Sequence, residues 1–211
     1  LHARLCRLGF PIAIDDIYTS LSAARRHVDQ CALRPMLMLE PDACRDFEGV
    51  PTNNPNCVVI GLAPSQFHYE RLTEAMRFLL NNADSQLIAI HKARYYKRSD
   101  GLALGPGAIV AGLEYSTGKT AHVVGKPERA FFLSALSSMG AGPGLSPAQT
   151  VMIGDDWRDD VNGAVLAGLK GILVKTGKYR AGDEENLKTN DNCHVVDNFP
   201  DAVTLIEQLN S

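Results

Sequence analysis

The residues best suited to chemistry lie in two short segments of the last third of the sequence. Gly125-Lys126-Pro127 offers one ammonium group, and residues 155–160 place four aspartates within six positions. Carboxylates this close repel one another unless positive charge lies among them, and Mg²⁺ accepts carboxylate, phosphate and water oxygens. A lysine beside such a site would neutralise a phosphate and hold it in line for attack. The pattern therefore predicts magnesium-assisted phosphate chemistry.

Each segment has an ordinary structural explanation when it is taken alone. A Gly-Lys-Pro sequence is typical of a loop with a solvated lysine, and an acidic run is favoured at the start of a helix by the helix dipole. Here both segments occur in a fixed order, and each follows an apolar run. Their combination favours a functional site.

Apolar runs rich in β-branched residues predict the strands that must position these groups. We expect buried strands at residues 36–39, 57–60, 87–90, 122–124, 151–153 and 171–174. Apolar residues three and four apart predict helices at residues 69–80, 127–139 and 160–167. Alternating strands and helices indicate an α/β fold with a mostly parallel sheet.

The last third of the chain is the most regular part. Lys126 and Asp155 each follow a predicted strand, and one strand–helix–strand crossover separates them. Because right-handed crossovers commonly place sequential strands side by side, or nearly so, we expect both residues at one rim of one parallel sheet. Residues 33–119 have less regular spacing and predict a second, inserted α/β unit.

Composition excludes several classes of function. A net charge of −3 gives no general attraction to nucleic acid or to anionic membrane. The five cysteines are odd in number and form no C-x-x-C arrangement, which argues against a disulfide framework or a zinc site and for a reducing, cytoplasmic location. No apolar run approaches the roughly 20 residues that span a bilayer.

Residues 91–98 form a basic, aromatic stretch directly after an apolar run. One interpretation is a solvated hairpin. The other is the edge of a lid that meets an anionic substrate, because cations at the mouth of a cleft raise the local concentration of anions. On the second interpretation His91, Lys92 and Arg94 face the substrate.

These segments resemble the haloacid dehalogenase (HAD) superfamily, in the subclass with a large α/β cap. The resemblance is carried by residues 123–127, 151–161 and 171–179, and more specifically by residues 91–96, 101–107 and 113–115. It implies a Rossmann-like parallel-sheet core with an inserted α/β cap domain. The core would comprise residues 1–32 and 120–211, and the cap residues 33–119.

The resemblance also implies roles for individual residues. Lys126 would bind phosphate, Asp155 would be a Mg²⁺ ligand, and Asp160 and Asp156 would lie behind that ligand and orient the site. The implied activity is hydrolysis of small phosphoric monoesters through an aspartyl-phosphate intermediate. Relatives with this cap commonly dimerise, so the resemblance admits a homodimer and leaves the oligomeric state open.

The catalytic aspartate of this superfamily lies in an amino-terminal D-x-D-G-T-like motif, followed by a second motif rich in threonine or serine. Neither motif occurs in the 211 residues. We therefore expect a core without its first strand and a chain that does not turn over phosphate esters alone. The alternative is a non-catalytic relative that binds phosphate or metal. A phosphoacceptor signalling domain is disfavoured, because there the lysine follows the acceptor aspartates.

Overall fold

The computed structural model describes residues 1–139, 145–187 and 192–209. The fold is α/β. Its strands are β1 (Pro35–Met38), β2 (Cys57–Ile60), β3 (Gln86–Ala89), β4 (Tyr95–Arg98), β5 (Gly101–Leu104), β6 (His122–Val123), β7 (Val151–Gly154), β8 (Lys170–Val174) and β9 (Cys193–Val196). Its helices are α1 (His2–Arg7), α2 (Ser20–Gln30), α3 (Pro41–Cys44), α4 (Tyr69–Asn81), α5 (Gly107–Thr117), α6 (Arg129–Ser138), α7 (Gly163–Leu166) and α8 (Phe199–Leu209).

A four-stranded parallel sheet in the order β1-β2-β3-β6 forms the first layer. Its two faces are both covered, and successive residues of β2 point to opposite faces as strand geometry requires. Val59 packs with Val28 of α2 on one face, whereas Val58 packs with Leu79 of α4 on the other. Burial on both faces explains why these strands are continuous apolar runs.

The second parallel sheet has the order β7-β8-β9. Ile172 of β8 packs with Ala202 of α8, and Phe132 of α6 packs with Ala164 of α7. Helix α6 therefore joins the end of the first sheet to the core of the second. Both sheets expose the carboxyl ends of parallel strands, which is where ligands bind in folds of this class.

All six predicted strands are present, with bounds that differ by about one residue, but β6 and β7 are not buried as expected: β7 is partly buried, and His122 of β6 is exposed. The predicted helix at residues 160–167 begins earlier, as a π-helical turn over Trp157–Asn162 that leads into the short α7. Residues 91–98 contribute β4, which pairs antiparallel with β5 and so forms a hairpin. The sequence did not lead us to expect β9 and α8, which close the second sheet.

The expectation that β6 and β7 lie side by side in one sheet is wrong. Strand β6 pairs with β3, in the register Ile88↔His122 and Ala89↔Val123, whereas β7 pairs with β8. The physical reason is packing: Val123 contacts the apolar cluster formed by α4, α5 and the first sheet, so β6 completes that sheet. The boundaries of a core and a cap at residues 32 and 119 stay a prediction.

None of the helices that the structure describes combines the length and the apolar character needed to cross a membrane. The five cysteines are free, with Cys57 and Cys193 buried and Cys6 and Cys31 exposed.

Candidate active site

Lys126 follows the edge strand of the first sheet. The parallel arrangement of β3 and β6 continues past both strands, because the Val124 amide donates to the Ala89 carbonyl oxygen at 3.0 Å. The segment after β3, which begins with Ile90, therefore runs beside the segment that carries Lys126. This local geometry follows from two short parallel strands that end at the same level. It places the ammonium group at the carboxyl end of the first sheet.

The acidic segment follows β7 and is built around Asp156. The Oδ1 atom of Asp156 accepts hydrogen bonds from the amides of Arg158 at 3.1 Å and Asp159 at 3.0 Å. These bonds cap the π-helical turn, whose amides would otherwise lack partners. The turn is one residue wider than an α-helical turn, and the Val161 amide donates to the Asp156 carbonyl at 3.2 Å. Such turns occur frequently at functional sites.

The π-helical turn returns Asp160 to the start of the acidic segment. Its Oδ2 atom accepts a hydrogen bond from the Asp156 amide at 3.2 Å. Gly154, the last residue of β7, lies directly against this carboxyl group, and a side chain there would collide with it. The absence of a Cβ at position 154 is thus what lets the Asp160 carboxylate lie behind the acidic segment.

Lys126 and Asp160 form an ion pair, in which the Lys126 Nζ donates to the Asp160 Oδ1. The Asp160 side chain is 6% exposed, whereas that of Lys126 is 36% exposed. Asp160 therefore holds one side of the ammonium group and leaves part of it accessible. Lys126 and the acidic segment do meet, but their contact joins the rims of two sheets, and its carboxylate is that of Asp160. Asp155 is instead hydrogen-bonded to the loop after β8.

Lys178 is the residue that sequence reasoning left without a role. Its backbone amide donates to the Asp155 Oδ2 at 2.9 Å, and its Nζ donates to the Asp156 Oδ2 at 3.3 Å. The preceding Gly177 adopts a φ of +53°, and its Cα lies so close to the Asp155 carboxyl that a Cβ would collide with it. The available signal was the position of Lys178, which follows a strand as Lys126 and Asp155 do.

The acidic segment retains an excess of negative charge. Burial, together with the charge of Asp156, raises the pKa of the Asp159 carboxyl to about 6 although Lys178 opposes the shift. Burial by itself would lower the pKa of the Lys178 ammonium, but the neighbouring carboxylates, Asp156 foremost, outweigh it and raise that pKa. Lys126, Lys178 and Arg158 carry three positive charges against the four negative charges of the aspartates, so a further cation would be stabilised here.

His91 lies near both lysines, two residues past β3. Burial lowers the pKa of the His91 imidazole to about 4, and the charges of Lys178 and Lys126 add to the shift. The imidazole is consequently neutral at pH 7. Of the other residues predicted to face the substrate, Lys92 pairs with Glu114 of α5 at 2.5 Å, and Arg94 is exposed. The structure thus brings His91 close to the two lysines, and the prediction that Lys92 and Arg94 face the substrate stays a prediction.

The donor set fits a magnesium ion. Among residues 1–139, 145–187 and 192–209, no three His, Cys, Asp or Glu side chains are arranged to bind a metal together. Mg²⁺ does not require such a cage, because it is usually held by one or two carboxylates, with phosphate and water completing its octahedron. Asp155 would be the ligand, since Asp156 and Asp160 are engaged by Lys178 and Lys126.

The chain is similar in sequence and in fold to known hydrolases and phosphatases. A family model described as HAD-hydrolase-like matches residues 123–202. The chain is 57% identical to haloacid dehalogenase-like hydrolase domain-containing protein 2 of Bos taurus, over 99% of this chain and 78% of that protein. It is 41% identical to the phospholysine phosphohistidine inorganic pyrophosphate phosphatase of Xenopus laevis, over 96% and 73%. The crystal structure of a 4-nitrophenylphosphatase from Thermotoga maritima superposes with a TM-score of 0.79 at 27% identity, over 93% of this chain and 75% of that one.

Proposed function

The chain belongs to the haloacid dehalogenase-like hydrolase family, and we propose that it carries the phosphate- and metal-binding part of a Mg²⁺-dependent phosphatase that acts on small phosphoric monoesters. The contact between Lys126 and Asp160 is the observation that supports this most directly. It brings a cation from the first sheet to the acidic segment of the second, so that a phosphoryl group and a metal could bind side by side.

Lys126 would bind the phosphoryl oxygens. Its ammonium is held on one side by the Asp160 carboxylate, which is nearly inaccessible to solvent, and its remaining N–H groups can donate to a ligand. A lysine fixed in this way needs no reorganisation when negative charge develops on the transferring group. Asp160 acts through Lys126 and is a positioning residue.

Asp155 would supply the carboxylate ligand of the metal. The Lys178 amide fixes one of its oxygens, and the close approach of Gly177 limits the space into which the carboxyl can turn. When bound, Mg²⁺ would neutralise part of the phosphoryl charge. Asp156 would keep the segment in shape, because it caps the turn that carries Asp160.

Attack on phosphorus requires a nucleophile. Membership in the family supports an aspartyl-phosphate intermediate, formed by an aspartate in a D-x-D-G-T-like segment, and the 211 residues contain no such segment. We therefore propose that these residues bind and orient the phosphoryl group and that the chain alone does not turn over substrate.

Hydrolysis of 4-nitrophenyl phosphate tests this proposal. The 211-residue chain would be compared with a form extended at its amino end by a segment that carries the D-x-D-G-T-like motif. We expect Mg²⁺-dependent turnover from the extended form only, and we expect Lys126→Met to lower its kcat/KM about a hundredfold or more. Lys175→Met is the matched control, because Lys175 lies in the loop after β8 and pairs with Glu184 at 3.7 Å.

The outcomes separate the parts of the proposal. Robust Mg²⁺-dependent turnover by the 211-residue chain would refute its proposed inactivity. Unchanged kcat/KM in the extended Lys126→Met variant would refute the role of Lys126. Phosphate binding by both forms without turnover by either would indicate the non-catalytic binding protein instead.

A further inference from the structure

Lys178 contacts the acidic segment through both its backbone amide and its side-chain ammonium. Its amide holds Asp155 and its ammonium lies 3.3 Å from the Asp156 carboxylate. The Lys178 side chain is 23% exposed, so the ammonium is neither free in solvent nor fully enclosed. A single interaction at 3.3 Å leaves N–H groups of this ammonium available to a ligand.

The two ammonium groups of the site lie on different segments but serve the same small volume. Lys126 pairs with Asp160, and Lys178 pairs with Asp156, whose amide donates to that same Asp160 carboxylate. The positive charges of both lysines act on the imidazole of His91. His91 is itself neutral, so it adds a polar group and no charge. The site therefore presents the N–H groups of two ammonium ions and a neutral histidine, and a bound Mg²⁺ would offset the negative charge that remains on the aspartates.

Two cations suit a ligand with two negative charges. The phosphoryl group of a monoester is a dianion near neutral pH, whereas that of a diester carries one charge. One lysine can offset one of these charges, and a second lysine that approaches from another segment can offset the other.

We propose that Lys178 is a second phosphate-binding lysine, and that it gives the site its preference for dianionic over monoanionic phosphoryl groups. This inference rests on the proposed function above, since it concerns the same site. The competing view is that Lys178 only neutralises Asp156. That view predicts a loss of stability on substitution but no change in the discrimination between anions.

Direct binding measurements distinguish the two views without requiring turnover. Inorganic phosphate and dimethyl phosphate would be titrated calorimetrically, in the presence of Mg²⁺ at pH 8, into the 211-residue chain and its variants. We expect Lys178→Met to weaken binding of inorganic phosphate about tenfold or more and to change that of dimethyl phosphate less than about threefold. Lys178→Arg should stay within about threefold of the unsubstituted chain, and Lys175→Met should match it.

Each outcome bears on the inference. Equal affinity ratios for the two anions in Lys178→Met and in the unsubstituted chain would overturn it. An equal loss of affinity for the two anions in both Lys178→Met and Lys178→Arg, together with a lowered midpoint of thermal unfolding, would also overturn it. If Lys126→Met weakens the binding of inorganic phosphate and Lys178→Met does not, only this inference fails and the proposed function stands. If neither variant affects phosphate binding, or the unsubstituted chain binds no phosphate, both fail.

Discussion

The ammonium group of Lys126 contacts the carboxylate of Asp160 across 34 positions of sequence and between two different parallel sheets. Lys126 follows the edge strand of the first sheet, and Asp160 lies in the π-helical turn after the first strand of the second. This contact bridges the carboxyl-end rims of the two sheets. Its integrity should therefore govern both the stability of the fold and the function of the site.

Substitution of Lys126 should destabilise the protein, because it leaves Asp160 as a buried carboxylate without an ion-pair partner. In Lys126→Met the nearly inaccessible carboxylate loses its ion-pair partner, and we expect the free energy of unfolding to fall by about 1–3 kcal/mol. The partial exposure of Lys126 places the effect below that of a fully buried pair. Urea denaturation at pH 7 measures it.

The double variant Lys126→Met/Asp160→Asn provides the control for that measurement. Neutralising Asp160 removes the unpaired buried charge, so the double variant should be more stable than Lys126→Met alone. Additive losses from the two substitutions would show that the pair is not energetically coupled.

Gly177→Ala should be far more disruptive than Gly182→Ala. Both glycines have positive φ, +53° and +93°, and an alanine at either position costs about 1 kcal/mol in backbone strain. At Gly177 the added Cβ also collides with the Asp155 carboxyl, whereas no atom lies within 4 Å at Gly182. We expect a total loss of roughly 2–4 kcal/mol for Gly177→Ala by urea denaturation. Equal losses in the two variants would argue against the close packing of Asp155.

The neutral state of His91 predicts a pH dependence of stability. The folded imidazole has a pKa of about 4 against an ordinary value of 6.5, so between these pH values the unfolded chain binds the proton more readily. Stability from this group is therefore fully present above pH 6.5 and falls as the pH drops toward 4, by roughly 3 kcal/mol in total. His91→Gln should lack this component.

Urea denaturation of both proteins at several pH values between 4.5 and 7.5 isolates the contribution of His91. As the pH falls, the unfolding free energy of His91→Gln should decrease less than that of the unsubstituted chain. Parallel curves would show that the imidazole is not held neutral by the folded structure.

Thiol reactivity should follow burial. Burial raises the pKa of the Cys57 thiol to about 12, although Arg34 opposes the shift, and burial also raises the pKa of Cys193. Because the thiolate is the reactive form, iodoacetamide at pH 8 should label the exposed Cys6 and Cys31 first. Mass spectrometry after timed quenching gives the order. Labelling of Cys57 as fast as Cys6 in the native protein would contradict the packing of β2.

Much of the fold could be predicted because its central strands β2, β3 and β8 are largely buried. A strand such as β2, with every residue buried, must be a continuous apolar run, and its bounds matched the expected residues 57–60. The π-helical turn could not be predicted, because it depends on the capping of two amides by Asp156 and not on apolar spacing. The pairing partner of each strand could not be predicted from the sequence either. The crossover rule states which arrangements of strands are common, but it does not take into account which apolar face β6 covers.

Residue types and their order specify the chemistry of the site: one lysine after an apolar run, four aspartates after another, and an α/β fold that places strand ends at a ligand-binding rim. The three-dimensional arrangement assigns the lysine and the aspartates to different sheets, pairs Asp160 with Lys126, and adds Lys178 and His91 to them. The physical reason is that residue types specify charge and hydrogen-bonding capacity locally. Which charges meet depends on long-range packing and on backbone approaches, such as that of Gly177 to Asp155, that no local pattern encodes.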